Sequence, residues 1–286
     1  MGQIRFLRRA MLGIGLAALA AAPALAADET KEEGLPNDPN SLTIGLGGAY
    51  VPSYEGSDDY ILTPIAVAFG KIGGFGFATR GTALYVDLIP DDPDASVSFD
   101  LGPMANLRLD RTNRIKDVRV RKLGELDEAV EVGGWAGLKF AKLLNPYDSL
   151  GLRVAYAKDV ADAHDSTVIT PAIDYQTPLS TKTLASLSLQ AEHVGDGYAR
   201  TYFSIAPAGA LASGLPAYAA DGGWKNWRAT LLLGQTLTGD LRHPGLSLFG
   251  GVSYSKLLGD FARSPIVAVA GDRDQYVVTA GLAYTF

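Results

Sequence analysis

Taken at every second residue, the stretch 275–286, QYVVTAGLAYTF, separates into two unlike surfaces. Tyr276, Val278, Ala280, Leu282, Tyr284 and Phe286 fall on one side, and Gln275, Val277, Thr279, Gly281, Ala283 and Thr285 on the other. Successive side chains of a strand point to opposite faces, so such a strand separates two different solvents. Its apolar face ends in aromatics, the pattern of a spanning strand that leaves the bilayer at an interfacial girdle. An edge strand of a soluble sandwich alternates in a similar way, so the rest of the chain has to decide.

The same period recurs along the chain. Residues 41–51, 61–69, 73–89 (bending at Gly81), 97–108, 130–142, 150–156, 168–175, 183–193, 198–206, 227–238 and 245–256 all read as strands, with a tight Gly195-Asp196-Gly197 turn before the strand at 198–206. Charge at the bilayer midplane costs about 2–4 kcal/mol on the lipid face, so the alternation assigns Asp100, Arg108, Glu131, Arg153, Asp174 and Glu192 to the lumen. The pattern predicts an all-β fold, an antiparallel up-and-down transmembrane barrel of about 12 strands, with about 10 left open. The last strand would close it, with Leu282, Tyr284 and Phe286 as the barrel-assembly signal.

Three stretches interrupt the alternation. Residues 90–94 form an acidic turn that lacks calcium-loop spacing. Residues 209–223 read as a small-residue loop flanked by Trp224 and Trp227, which belong at an interface. Residues 110–128 hold the densest basic run, with Arg111, Arg114, Lys116, Arg119, Arg121 and Lys122. Counting strands puts the loops 51–59, 90–94, 209–223 and 257–274 at one end and the basic segment at the other, with the termini. There it is either a solvated loop or a docking surface that steers an acidic partner.

The start of the chain changes the class of protein. Residues 1–26 read as a cleaved secretory signal: Arg5, Arg8 and Arg9 precede an apolar run that ends in Ala24-Leu25-Ala26. Residues 27–41 are then a polar periplasmic lead-in and residues 42–286 the barrel. No later apolar run reaches the length of a spanning helix, so an exported membrane protein with this sequence crosses with strands. Without the signal the chain keeps 22 basic and 31 acidic residues, a balance that excludes nucleic acid as a partner. Zero cysteines exclude a disulfide framework and thiolate chemistry.

Candidate catalytic chemistry is sparse. His193 and Glu192 are strand neighbours and point opposite ways. His164, between Asp162 and Asp165, reads as a residue of a solvated turn. No G-x-S-x-G, phosphate loop, dinucleotide fingerprint or zinc spacing occurs, so neither an enzyme nor a bound cofactor or metal is expected.

Four separated words, GGAYVPSYEGSDDY, YARTYF, SGLPAYAADGGWKN and KLLGDFARSPIVAVAGDRDQ, resemble the MipA/OmpV family of MltA-interacting proteins in Gram-negative outer membranes. The resemblance runs from Leu42 to Phe286, and departs from the family at Phe261, where alanine is expected. It implies a non-catalytic scaffold, embedded in outer-membrane lipid and lipopolysaccharide, that links a murein lytic transglycosylase to a peptidoglycan synthase. A narrow channel for small solutes is the alternative.

Overall fold

A computed structural model describes residues 40–90, 92 and 95–286. The expected signal and nearly all of the lead-in lie outside the described residues, as do Asp91, Pro93 and Asp94 of the acidic turn. Twelve strands form a closed antiparallel barrel: β1 (Ser41–Pro52), β2 (Tyr60–Ile72), β3 (Phe75–Arg80), β4 (Ala83–Asp87), β5 (Val97–Arg108), β6 (Ala129–Ala141), β7 (Ser149–Asp159), β8 (Thr167–Pro178), β9 (Thr183–Val194), β10 (Gly223–Thr236), β11 (Gly245–Leu257) and β12 (Asp274–Thr285). Each strand pairs with its sequence neighbour. β12 returns to β1 in register from Thr43↔Thr285 to Tyr50↔Val278, and the Phe286 amide donates to the Leu42 carbonyl.

Alternation sets which side chains face lipid. On β12 Tyr276, Val278, Leu282 and Tyr284 are exposed while Gln275 and Ala283 are buried; on β5 Val97, Phe99, Leu101 and Leu107 are exposed while Met104 is buried. Aromatics gather near both strand ends: Tyr50 stacks on Tyr60, Trp227 meets Tyr254 and Tyr254 meets Tyr276 near one end, and Tyr284 meets Phe286 at the other. These are the two girdles of a bilayer-spanning barrel. Lys158 and Lys256 lie close to strand tops, paired with Asp165 and Asp274.

The expected count of twelve rests on two compensating differences. Residues 73–89 are not one bent strand but the hairpin β3–β4, which turns at Gly81 with φ 62°. Residues 198–206 are not a strand: Asp196–Phe203 is a helix, and Gly195 is its N-cap instead of part of a hairpin turn. Segments read as plain loops also contain short helices. With the helix at 196–203, those of the described residues are labelled in chain order α1 (Val118–Arg121), α2 (Asp196–Phe203), α3 (Pro207–Ser213), α4 (Gly259–Arg263) and α5 (Pro265–Ala268).

Recounting the strands changes the sidedness of the loops. The connections β1–β2, β5–β6, β7–β8, β9–β10 and β11–β12 share one end and include every helix among the described residues. The β2–β3, β4–β5, β6–β7, β8–β9 and β10–β11 turns lie at the other end, with Asn40 and Phe286. The basic segment 110–128 therefore sits opposite Asn40 and Phe286, and Pro90 and Asp92 of the acidic turn sit with them. One irregularity remains in the wall, because β3 and β4 have 6 and 5 residues beside neighbours of 13 and 12. β2 pairs with β3 only from Phe69 to Ile72, so its upper edge has no strand on that side. Arg114 reaches over from the long loop and donates to the Leu62 carbonyl and the Thr63 hydroxyl, at 3.1 and 2.7 Å.

Candidate functional site

The long-loop end carries a cap with its own apolar core. One cluster joins Tyr198, Ala199, Tyr202 and Phe203 of α2 to Phe261 of α4, Val267 of α5 and the strand tops Val168, Val194 and Leu257. A second joins Tyr54, Ile115, Val120, Ile205, Leu215, Ile266 and Ala270. Burial follows the helical spacing: Tyr198, Ala199, Tyr202 and Phe203 recur at i, i+1, i+4 and i+5, one face of α2. Gly197 is required where α2 passes the β7–β8 loop, since a Cβ there would lie 2.3 Å from the His164 carbonyl oxygen. Ser264 caps α5 and donates to the Phe203 carbonyl at 2.6 Å, which ties the β9–β10 and β11–β12 loops together.

Beneath this apolar layer lies a buried polar network. At the top of β10 the register with β9 slips, with Trp224 opposite His193 and Asn226 opposite Glu192, so Lys225 is the extra residue of a bulge. Bulges re-aim side chains, and here both Lys225 and Asn226 are buried. The Lys225 ammonium lies 2.8 Å from Glu55 Oε1, 2.5 Å from Glu192 Oε2 and 2.9 Å from the Tyr198 hydroxyl. Arg108 pairs with Glu131 at 2.7 Å and donates to the same Tyr198 hydroxyl at 3.0 Å. That hydroxyl donates in turn to Glu55 at 2.9 Å, so the phenol is fully engaged between two cations and a carboxylate. Glu131 also accepts from Asn106 and meets His164 Nε2 at 3.2 Å.

Of the inward charges expected from sequence, Arg108, Glu131 and Glu192 enter this network, and Arg153 joins Asp174 lower in the lumen. Asp100 lies on the inward side of β5. The reading of His164 as a solvated turn residue is overturned: its side chain is fully buried against Glu131, Tyr198 and Tyr202. His193 points outward onto Trp224. Glu55, Lys225 and Tyr198 were missed as site residues. The i, i+4 pair of tyrosines at 198 and 202 was the available signal.

Two residues of the basic run, Arg111 and Arg119, help build the cap, whereas Lys116, Arg121 and Lys122 are exposed. Arg111 is buried and donates to the Tyr202 carbonyl. Arg119 pairs with Asp117 at 2.7 Å, and Asp117 caps α1 by accepting from the Arg119 and Val120 amides. Burial acts to raise the Asp117 carboxyl, but these bonds hold it below the ordinary range. Asp110 shows the opposite result: burial, reinforced by Glu55, pushes its carboxyl up, while its Oδ1 accepts from the Glu55 amide at 2.6 Å. Burial likewise drives the Tyr198 phenol well above its usual value. Among the described residues no group of three or more His, Asp or Glu side chains is arranged to hold a metal ion.

A sequence profile of the family described as MltA-interacting protein MipA matches residues 44–286. The chain belongs to the MipA family. Family and barrel together place it in the outer membrane, and the aromatic girdles agree. No curated protein matches the sequence. Among solved structures, an outer membrane channel from Pseudomonas putida F1 is similar at 14% identity and a TM-score of 0.45, over 91% of this chain and 100% of that chain. The Pseudomonas putida toluene transporter TodX is similar at 9% identity and a TM-score of 0.38, over 87% and 90% of the two chains. A Pseudomonas aeruginosa FadL homologue follows at 10% identity and a TM-score of 0.33, over 86% and 88%.

Proposed function

We propose that this MipA-family barrel is a non-catalytic scaffold that presents its short-turn end and its lead-in to murein-processing enzymes, a lytic transglycosylase and a peptidoglycan synthase. The observation that carries the reading is the packed long-loop end. Inward residues at the tops of β1 and of β6 to β12 are buried, namely Ala49, Glu131, Asp159, Val168, Val194, Lys225, Leu257 and Gln275. A barrel stoppered in this way is suited to holding partners more than to passing solutes. The family description supports the choice of partner. Short turns of such barrels face the periplasm, where murein lies, so the partner surface belongs at that end. The basic run from Arg111 to Lys122 then lies on the outer side, where Arg111 and Arg119 brace the cap.

The short-turn end also offers apolar contacts. Leu143, Leu144 and Tyr147 in the β6–β7 turn are exposed, Leu144 at 82%. Photocrosslinking residues placed at Leu144, at Arg242 in the β10–β11 turn and at Leu211 on α3 test the reading in intact envelopes. Adducts with a lytic transglycosylase or a peptidoglycan synthase are expected from the two turns and not from Leu211. Adducts confined to Leu211, or only barrel-assembly components captured from the turns, would remove the scaffold reading.

A further inference from the structure

The wall between β2 and the short hairpin β3–β4 comes apart toward the long-loop end. Above Phe69 the residues of β2 pair with β1 alone. The Ala68 amide donates to the Thr79 hydroxyl, away from β1, so by strand alternation Leu62, Pro64 and Ala66 also turn their backbone groups toward the missing neighbour. Pro64 has no N–H to leave unpaired, and a strand edge is where a sheet tolerates proline. No side chain or loop group meets the Leu62 amide, the Pro64 carbonyl or either backbone group of Ala66 among the described residues. Leu62 lies opposite Tyr50, which stacks on Tyr60 in the aromatic girdle, and Ala66 lies opposite the outward Leu46, 67% exposed. The open edge therefore runs from the interface into the apolar band, where a sheet edge facing lipid needs hydrogen-bond partners.

Arg114 stands at the interfacial end of this edge. Its bonds to the Leu62 carbonyl and the Thr63 hydroxyl use two of the five guanidinium N–H groups and fix the fork in place. The residue is exposed, and no carboxylate pairs with it among the described residues. Its backbone, at φ 53°, holds a left-handed conformation that residues other than glycine adopt rarely. Lys116, two residues on, is also exposed. Below the guanidinium the lipid-facing surface is apolar: Leu62 is 70% exposed, and Pro64 and Ala66 are exposed with it. We propose that this notch binds one phosphate-bearing glycolipid of the outer leaflet, with amide-linked hydroxyacyl chains. Its phosphate would sit on the remaining N–H groups of Arg114, since a guanidinium fork matches phosphate oxygens. Its amide and hydroxyl groups would lie against the open edge, accepting from the Leu62 and Ala66 amides and donating to the Pro64 and Ala66 carbonyls. Its chains would cover Leu46, Leu62 and Pro64. The edge lies at the long-loop end, the outer side of such barrels. A fork already held by the wall loses little further freedom on binding.

The test uses the full chain folded in a neutral detergent and titrated with diphosphoryl lipid A or with dephosphorylated lipid A, the bound lipid being counted by native mass spectrometry. One diphosphoryl lipid A per chain is expected at saturation, with the dephosphorylated lipid at least about tenfold weaker, the ratio for losing one charge-assisted contact. Arg114→Gln should weaken diphosphoryl lipid A about tenfold. Arg121→Gln, which removes an exposed charge on α1, should leave it unchanged, and excess inorganic phosphate should not displace the lipid. Equal affinity for the two lipids, unchanged binding in a folded Arg114→Gln, equal losses from Arg114→Gln and Arg121→Gln, or displacement by inorganic phosphate would each overturn the proposal. The comparison of the two lipids on the parent chain decides the matter even where Arg114→Gln fails to fold.

Discussion

Replacing Lys225 by methionine is expected to destabilise the folded barrel by about 3–5 kcal/mol, the range for breaking a buried charge pair from one side. Methionine keeps most of the side-chain volume, so the loss is electrostatic. It would leave Glu55, among the described residues, with only the Tyr198 hydroxyl and Asn226 as side-chain donors, and strip Glu192 of its ammonium partner. The double variant Lys225→Met/Glu192→Gln removes one stranded charge and should recover part of the loss. Urea unfolding midpoints of the two variants, compared with the parent, measure both terms. A shift below about 1 kcal/mol in Lys225→Met would mean that water reaches the site, since exposed ion pairs are worth about that much.

Replacing Gly133 by valine is expected to prevent assembly of the barrel. A Cβ at Gly133 would lie 1.8 Å from the Tyr156 carbonyl oxygen and 2.7 Å from the Ala157 Cα, so β6 and β7 could not keep their register. No rotamer relieves a clash with backbone. Gly234 provides the control, because a Cβ there meets nothing within 4 Å. Gly133→Val should lack the fast-migrating folded band of unheated gel samples, whereas Gly234→Ala should retain it. A normal folded band for Gly133→Val would contradict the tight approach of the two strands.

Strand alternation was the most legible feature, since membrane and lumen are chemically distinct and each outward position carries its own evidence. The interior charges at Arg108, Glu131 and Glu192 followed from the same parity. Hairpin β3–β4 was hidden because one glycine at positive φ turns the chain with no break in composition: Gly81 stands between two runs that both look like strand. The helix at Asp196–Phe203 was masked by aromatic spacing that fits a strand almost as well. Only burial of the i, i+4 face distinguishes them. These two differences cancel in the count, so the sum of strands was right while the sidedness of the basic loop was not. The cap network was least legible, because its members lie far apart in sequence: Glu55 and Lys225 are 170 residues apart and meet only when the loops fold together. A bulge, visible only in register, turns Lys225 inward.

The central claim, that the cap stoppers the barrel, is tested most directly by conductance in planar bilayers. The intact protein is compared with a variant in which a short Gly-Ser link replaces residues 195–222, which include α2 and α3. The account predicts no stable open level for the intact chain and ohmic steps for the variant, whose strands still close the wall. Stable conductance of the intact chain, equal to that of the variant, would contradict the cap and favour the narrow channel for small solutes.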